Sequence, residues 1–143
     1  MSELDDELKE VKIHQIMTKD MIAACPTNKF SQAFQFFSER NVNHLPVCED
    51  GVLLGIISIK DIMHTVYKHV VVQKKTDMAE LDVSIKITDI MTRNPATVTA
   101  DTTVLEVKEI FGKAPFNCLP ILHEGKLVGL VTPKDLMQMR IIQ

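Results

Sequence analysis

The sequence predicts a mixed α/β fold of the α+β type, built from two copies of one β-α-β-β-α unit. The first observation is an internal repeat: shifting the chain by 74 positions aligns residues 13–63 (copy 1) with residues 87–137 (copy 2) without a gap. The second is that each copy alternates short β-rich runs with amphipathic helical runs. The third is a glycine-containing turn at the same place in both copies.

The repeat is supported by identities at residue types that rarely replace one another. Glycine, proline and aspartate recur in a single register. The matched segments include Ile16-Met17-Thr18 with Ile90-Met91-Thr92, Leu45-Pro46-Val47 with Leu119-Pro120-Ile121, and Gly55 and Lys60-Asp61 with Gly129 and Lys134-Asp135. Such a pattern is improbable by chance, so the chain is predicted to be a tandem duplication.

The first helix of each copy is predicted from the spacing of apolar residues. They recur at i, i+3, i+4 and i+7 from Phe30 in copy 1, and Val104 and Val107 repeat that face in copy 2. Thr103 and Glu106 form the T-x-x-E of a capping box at the start of the copy 2 helix. Copy 1 has no such box, so a weaker helix start is expected there.

Two β-rich runs follow in each copy, joined by a two-residue turn. Asp50-Gly51 separates the runs of copy 1, and Glu124-Gly125 separates those of copy 2. Both central residues of a type I′ turn need positive φ, which glycine adopts readily and aspartate tolerates. Each pair of runs is therefore predicted to be a β-hairpin.

A second helix closes each copy. Its apolar residues include Ile62, Met63 and Val66 in copy 1, and Leu136, Met137 and Ile141 in copy 2. The methionines at repeat-equivalent positions, Met17, Met63, Met91 and Met137, are interpreted as core residues. Val70-Val71-Val72 either continues the helix of copy 1 or adds a strand, and the sequence leaves both readings open.

These elements divide the chain into four segments. Residues 1–12 are predicted to form an amphipathic helix capped by Ser2. Residues 13–70 are the first repeat, residues 71–86 a linker, and residues 87–143 the second repeat. The opening helix is expected to pack on the repeats or on a partner chain.

Composition argues against several classes of protein. A net charge of −3, without a basic face or an aromatic platform, argues against nucleic-acid binding. No apolar run is long enough to cross a membrane, so no membrane partner is expected.

The cysteines Cys25, Cys48 and Cys118 form no C-x-x-C pair and are predicted to be buried free thiols. Because the first ten residues are acidic, unlike a signal peptide, a cytoplasmic location is expected.

The sequence holds no constellation that is typical of catalysis. The five histidines are scattered, and there is no nucleophile–base pair, separated carboxylate pair or metal-ligand spacing. The chain is therefore not expected to be an enzyme, and neither catalytic residues, a metal site nor a catalytic cofactor is predicted.

The most informative motif is G-h-h-[ST]-x-K-D, where h is apolar, and it occurs once in each copy. It places Ser58 or Thr132 at the N-cap of the second helix, with Asp61 or Asp135 at the third helical position. Capping alone could explain both residue types. However, a helix N-terminus also attracts phosphate, and the aspartate could accept hydrogen bonds from a ribose diol, so a nucleotide site is a second interpretation.

The order of these motifs resembles the cystathionine-β-synthase (CBS) domain, and two in tandem resemble the pair called a Bateman module. The resemblance rests on I-M-T, an apolar helix, L-P-[VI], the D-G or E-G turn and G-h-h-[ST]-x-x-D, over residues 13–63 and 87–137. It implies that the repeats pack through their sheets with pseudo-twofold symmetry and leave two clefts. It also implies a regulatory protein that binds AMP, ADP, ATP or S-adenosylmethionine.

The resemblance also implies which residues line the two clefts. Asp61 and Asp135 would hold ribose hydroxyls, while Ser58 and Thr132 would touch ribose or phosphate. The base would meet the strands that precede the first helices, at Ile22 and Ala23 in copy 1 and at Ala96 and Thr97 in copy 2. Further lining residues would be Asn43, His44, Asn117 and Cys118. His44 would contact the phosphate, whereas Cys118, at the equivalent position, supplies no charge.

The expected function is therefore that of a regulatory sensor of adenosine nucleotides. No catalytic domain accompanies the pair in this sequence, so regulation is expected to act on a separate, unidentified partner protein. Pairs of this family usually form disc-like homodimers, and a homodimer is expected here. The alternative is a ligand-free oligomerisation or protein-docking module.

Overall fold

The computed structural model describes residues 2–75 and 77–139, and it confirms a mixed α/β fold with two three-stranded sheets. The chain divides into two compact units. One, here called the central unit, comprises Ile22–Pro95, and the other, the terminal unit, comprises Met1–Met21 together with Ala96–Gln143. Ile141, predicted on the last helix, lies outside the described residues.

The order α-β-β-α is found in both copies as predicted, but the predicted first strand of copy 1 is reduced to a single bridge at Ala24, and copy 2 begins with an additional helix and strand. In chain order they are α1 (Glu3–Lys9), α2 (Phe30–Arg40), β1 (His44–Glu49), β2 (Val52–Ser58), α3 (Ile59–Val66), α4 (Met78–Ser84), α5 (Ile87–Ile90), β3 (Thr92–Arg93), β4 (Val98–Thr99), α6 (Val104–Lys113), β5 (Leu119–His123), β6 (Lys126–Val131) and α7 (Pro133–Met137). A 3-10 turn covers Ile13–Gln15, and a π-helical turn covers Tyr67–Val72. The valine run is therefore helical and adds no strand.

The sheet of the central unit has the order β1-β2-β3, with antiparallel neighbours. Ala24 extends it on the other side of β1 through a parallel bridge to Val47. The sheet of the terminal unit has the order β4-β5-β6, in which β4 is parallel to β5 and β5 is antiparallel to β6. There Thr18 bridges to Leu130 on β6.

Each I-M-T motif lies in the unit that contains the hairpin of the other copy. Thr92, from copy 2, pairs with Ile56 in the central unit, and Thr18, from copy 1, pairs with Leu130 in the terminal unit. The two pairings are equivalent under the 74-residue shift. Each unit therefore combines segments of both copies.

Glycines on β2 and β6 make room for the I-M-T methionines. A Cβ atom on Gly55 would lie 2.6 Å from Met91 Sδ and 2.7 Å from the Thr92 carbonyl oxygen. A Cβ atom on Gly129 would lie 2.5 Å from Met17 Sδ. At Gly55 the obstacle includes a backbone carbonyl, so that position requires glycine, whereas at Gly129 the atoms nearer than 3.0 Å belong to the flexible Met17 side chain and the nearest backbone atom, the Thr18 carbonyl oxygen, is 3.1 Å away.

Both predicted hairpins have two-residue turns with positive φ. Asp50 and Gly51 have φ of 53° and 81°, and Glu124 and Gly125 have φ of 51° and 79°. These values are those of a type I′ turn, which matches the twist of the flanking strands.

Helices precede both copies and pack on the first helix of the opposite copy. Ser2 caps α1 by accepting a hydrogen bond from the Asp5 N–H at 3.0 Å, and α1 packs on α6. The segment expected to be a linker contains α4, which packs on α2. Under the 74-residue shift α4 is equivalent to α1 within one residue.

Copy 1 has Lys29 and Gln32 at the capping-box positions, where Gln32 Oε1 accepts a hydrogen bond from the Lys29 N–H at 2.8 Å, and α4 adds a second contact at the start of α2. Asp82 accepts hydrogen bonds from the Ser31 N–H at 2.8 Å and from the Ser31 hydroxyl at 2.7 Å. Ser31 lies in the first turn of α2, where backbone N–H groups have no partner within the helix. Asp82, which is distant in sequence, therefore caps the N-terminus of α2.

Each unit has its own buried core. That of the central unit comprises Ala24, Phe30, Ala33, Phe37, Leu45, Val47, Ile57, Ile62, Leu81, Ile85, Ile87 and Met91. That of the terminal unit comprises Leu8, Ile13, Val98, Ala100, Val104, Leu105, Val107, Leu119, Ile121, Val131 and Leu136. Among the described residues, every helix is too short or too polar to cross a bilayer.

Two interpretations of buried residues were partly wrong. Met63 and Met137 are more than half exposed, because the buried positions of α3 and α7 are taken by Ile62 and Leu136. Of the three free thiols, Cys48 is buried, but Cys25 is exposed and Cys118 is half-buried.

Replacing Gly55 with alanine is expected to lower the free energy of unfolding by about 1–3 kcal/mol, the usual cost of overpacking. The added methyl group would collide with Met91 Sδ and with the Thr92 carbonyl. The matched control is Gly112→Ala, since a Cβ atom there meets no heavy atom within 4 Å. Urea denaturation checks both, and a Gly55→Ala protein as stable as the wild type would show that the close approach is not needed.

Candidate functional site

Each predicted set of cleft residues lies within a single unit. The central unit holds Ile22, Ala23, Asn43, His44, Ser58 and Asp61, and the terminal unit holds Ala96, Thr97, Asn117, Cys118, Thr132 and Asp135. The first set therefore comes from copy 1 alone, and the second set comes from copy 2 alone.

The capping box of α3 orients Asp61. The Ser58 N–H donates to Asp61 Oδ2 at 2.8 Å, and the Asp61 N–H donates to the Ser58 hydroxyl oxygen at 3.2 Å. In the described part of the chain no other hydrogen bond reaches this carboxylate, so Oδ1 keeps its acceptor capacity. The residue that caps the helix thus still has one oxygen for a ligand.

The hairpin of copy 1 brings His44 and Asn43 to the start of α3. His44 stands opposite Ser58 in the pairing of β1 with β2. The Ile59 N–H donates to the Asn43 carbonyl oxygen at 2.9 Å. Burial lowers the pKa of His44 below its ordinary value of 6.5, and the charge of Asp61 partly offsets that effect. Imidazole and carboxylate are thus close enough to influence each other.

Ile22 and Ala23 reach the same end of the sheet. They precede the parallel bridge of Ala24 to Val47, so both residues lie toward the start of β1, where His44 is found. Ala23 is exposed, whereas Ile22 packs partly against the core. The structure therefore brings all six predicted residues of the central unit to one end of β1 and the start of α3.

A cavity of about 280 Å³ adjoins the Asp61 carboxylate in the central unit. Its walls are the face of α3 and the π-helical turn with His64, Thr65, Lys68 and His69, together with Asp89 and Ile90 of copy 2. The basic groups at this wall were not predicted from the sequence, because only folding aligns them with Asp61.

The equivalent carboxylate in the terminal unit is engaged more fully. Asp135 Oδ2 accepts hydrogen bonds from the Thr132 N–H at 2.8 Å and from the Thr132 hydroxyl at 3.3 Å. Asp135 Oδ1 accepts from the Thr18 hydroxyl at 3.4 Å. Both oxygens of Asp135 therefore have donors within the protein, in contrast to those of Asp61.

Other features of the terminal unit also differ from the central unit. Cys118 occupies the place of His44, and burial, together with the charge of Asp135, raises its pKa from 9.0 to about 12. Pro133 occupies the place of Ile59 and has no N–H to donate to Asn117. Ala96 and Thr97 precede β4, which runs parallel to β5, so they too lie toward the start of the hairpin.

Thr18 is a partner of the predicted residue Asp135 that could not be named from the sequence pattern. Its hydroxyl reaches Asp135 across a strand pairing that joins positions far apart in the chain. The available signal was the threonine of the I-M-T motif, which recurs as Thr92 in copy 2. Among residues 2–75 and 77–139, no group of three or more His, Cys, Asp or Glu side chains is arranged to hold a metal ion.

Comparison with known sequences identifies the family of both halves. The model of the CBS domain matches residues 13–68 and again residues 87–141. The chain is 29% identical to inosine-5′-monophosphate dehydrogenase of Korarchaeum cryptofilum, over 87% of this chain and 23% of that enzyme. It spans 44% of the length of another related protein, from Methanocaldococcus jannaschii. The chain thus corresponds to part of these relatives.

Solved structures agree with this assignment. The CBS domain pair of protein MJ0100, in complex with 5′-methylthioadenosine and S-adenosyl-L-methionine, has a TM-score of 0.67 and 27% identity, over 90% of this chain and 94% of that one. CBSX2 in complex with AMP has a TM-score of 0.73, over 90% and 94% of the two chains. At 23% identity the second likeness shows the fold alone.

We expect the pKa of His44 to lie below 6.5 and to be lower still in the Asp61→Asn variant. The NMR chemical shift of His44 during a pH titration measures it. Burial disfavours the imidazolium, and the substitution removes the negative charge that offsets this effect. Asparagine can still accept the hydrogen bond from the Ser58 N–H, so α3 keeps its cap. Asp135→Asn is the control, because Asp135 acts on Cys118. An unchanged or higher pKa in Asp61→Asn would mean that the two groups are not coupled.

Proposed function

Because the chain belongs to the CBS-domain family, we propose that it is a regulatory module that binds an adenosine nucleotide through the central unit. The observation that carries this proposal is the difference between the two aspartates. Asp61 keeps one carboxylate oxygen without a hydrogen bond among the described residues, whereas both oxygens of Asp135 accept hydrogen bonds. In this proposal the module binds and signals but catalyses no reaction.

The ribose of the ligand is assigned to Asp61. A carboxylate accepts hydrogen bonds from two neighbouring hydroxyl groups, and hydrogen bonds to a charged acceptor contribute about 1.5–3 kcal/mol each. The capping box holds the side chain in place before a ligand arrives, which lowers the entropy lost on binding. The helix cap and the ribose contact are thus two uses of one residue.

The phosphate of the ligand is assigned to the space between His44 and the start of α3. The positive end of the helix dipole attracts anions there. The attraction acts through the dipole, because the N–H groups of Ile59 and Asp61 already donate to Asn43 and Ser58. A phosphate beside His44 would favour the imidazolium, so the ligand would recruit a positive charge that burial disfavours in its absence. Ser58 lies opposite His44 and offers a hydroxyl on the same side.

The base is assigned to the segment that contains Ile22 and Ala23. This segment meets β1 through the parallel bridge of Ala24 to Val47, and exposed Ala23 leaves its backbone accessible beside a small side chain. The ligand candidates are AMP, ADP, ATP and S-adenosylmethionine. The adenosine moiety that they share is supported by the MJ0100 domain pair, which was solved with two adenosine derivatives.

The ligand state is proposed to act on a partner protein. The similarity to part of a much longer dehydrogenase fits a module that works together with other domains or proteins. Its three free thiols fit the reducing cytoplasm as its location. A purely oligomeric or docking module is the weaker proposal, because it does not explain why Asp61 keeps a carboxylate oxygen that accepts no hydrogen bond among the described residues.

A homodimer is also part of this proposal. Met63, Tyr67 and Val71 are each more than half exposed and follow one another at intervals of four residues, so they share one helical face. We assign this stripe, Met63-Tyr67-Val71, to contact with a second copy of the chain, since exposed apolar stripes favour burial against a partner.

AMP at a hundredfold excess over its Kd is expected to stabilise the wild-type protein by about 2.7 kcal/mol, which a thermal-shift assay would detect. Asp61→Asn is expected to weaken AMP binding at least tenfold, because hydrogen bonds to a charged acceptor are lost. The matched variant Asp135→Asn is expected to keep wild-type affinity in calorimetric titration. Binding that is lost in Asp135→Asn and kept in Asp61→Asn would contradict the assignment to the central unit.

Val71→Glu is expected to convert the dimer into a monomer, because it places a charge within the apolar stripe. Light scattering coupled to size-exclusion chromatography measures the mass. Val83→Glu, at an exposed position on α4, is the control and is expected to leave the dimer intact. A wild-type protein that is monomeric at all concentrations would refute the dimer.

A further inference from the structure

Cys25 and Cys48 of the central unit each follow one residue of a parallel bridge. The Ala24 N–H donates to the Pro46 carbonyl oxygen at 2.8 Å, and the Cys48 N–H donates to the Ala24 carbonyl oxygen at 2.8 Å. The bridge sets Ala24 beside Val47, so Cys25 and Cys48 lie one position beyond it on neighbouring segments, and Cys25 is near enough to raise the pKa of Cys48. Neighbouring strands lie about 4.7–4.9 Å apart, within the roughly 4.4–6.8 Å that separates the Cα atoms of disulfides.

The two thiols also lie on the same face of the sheet. Ala24 and Val47 both belong to the core of the central unit. Side chains alternate between faces along a strand, so Cys25 and Cys48 both project from the opposite face. The pairing of β1 with β2 has a bulge at Val47/Cys48. The extra residue, Leu54, is on β2, so the side chains of β1 still alternate between the two faces of the sheet.

The surroundings of the two thiols suit them to different roles. Cys25 is exposed, and a turn fixes its backbone: its N–H donates to Asn28 Oδ1 at 2.7 Å, and its carbonyl oxygen accepts from the Asn28 N–H at 3.0 Å. Cys48 is only 9% exposed. Burial, together with the neighbouring Cys25, raises its pKa. An external thiol-reactive reagent therefore reacts with Cys25 before Cys48.

We propose that Cys25 and Cys48 are a modification site that forms a reversible intramolecular disulfide. The Cys25 thiolate attacks one sulfur of a low-molecular-weight disulfide such as oxidised glutathione, which releases one thiolate and leaves a mixed disulfide. The released thiolate takes the Cys48 proton, and Cys48 then attacks the Cys25 sulfur and releases the second thiol. Two electrons pass from the protein to the reagent, and a dithiol reverses the reaction. This inference does not depend on the proposed function.

The test is intact-mass spectrometry of the full chain after incubation with oxidised glutathione under native conditions. The expected result is the loss of two hydrogen atoms in most molecules, restored by dithiothreitol. Trypsin cleaves between the cysteines at Lys29 and Arg40, so a disulfide-linked peptide pair identifies the bond. Cys118→Ser is expected to oxidise normally, because the Cys118 thiol has a pKa of about 12 and lies in the other unit.

Two variants complete the experiment. Cys25→Ser changes an exposed side chain and is expected to abolish the mass loss while leaving the fold intact by circular dichroism. Cys48→Ala is expected to stop the reaction at the mixed disulfide, with one glutathione bound to Cys25. The proposal is overturned if the wild type also stops at that adduct, if Cys118 is found in the crosslink, or if the mass does not change.

Discussion

Both units depend on the contact between an I-M-T methionine and a glycine of the sheet on which it packs. Met91 packs on Gly55, and Met17 packs on Gly129; at Gly55 the Thr92 carbonyl also leaves no room for a side chain. The strand pairings of Thr92 and Thr18 lie beside these contacts. Each sheet is extended by a segment of the opposite copy: β3 of copy 2 joins the sheet of the central unit, and Thr18 of copy 1 bridges to the sheet of the terminal unit. The repeat in the sequence therefore describes a duplicated chain whose halves exchange a segment.

Local features could be predicted from the sequence, whereas features that depend on distant segments could not. The hairpins at Asp50-Gly51 and Glu124-Gly125 and the capping boxes at Ser58 and Thr132 are short-range patterns, and the structure confirms them. The exchange of the I-M-T segments leaves no local signal. Nor does the capping of α2 by Asp82, because the two residues that meet are 51 positions apart. Met63 was misplaced for a related reason: its apolar character does not reveal which helix face is covered.

The two copies have kept the same scaffold while their polar groups diverged. In the terminal unit, Thr18 and Thr132 satisfy Asp135, and a neutral thiol at Cys118 replaces the imidazole of His44. In the central unit, a carboxylate with an available oxygen lies near an imidazole and beside a cavity with basic residues. A duplicated fold thus supplies two equivalent frameworks, and a few side chains decide which of them suits a ligand. Asp61 and Asp135 are the same residue type at equivalent positions, so only their hydrogen bonds distinguish the two carboxylates.

The proposed function requires that the central unit holds the nucleotide through Asp61. A crystal structure of the protein grown with saturating AMP would locate the ligand. We expect one nucleotide per chain, with its ribose hydroxyls on the Asp61 carboxylate and with the Thr18 hydroxyl still bonded to Asp135. A nucleotide whose ribose lies on Asp135, with Asp61 left without a ligand, would contradict this assignment.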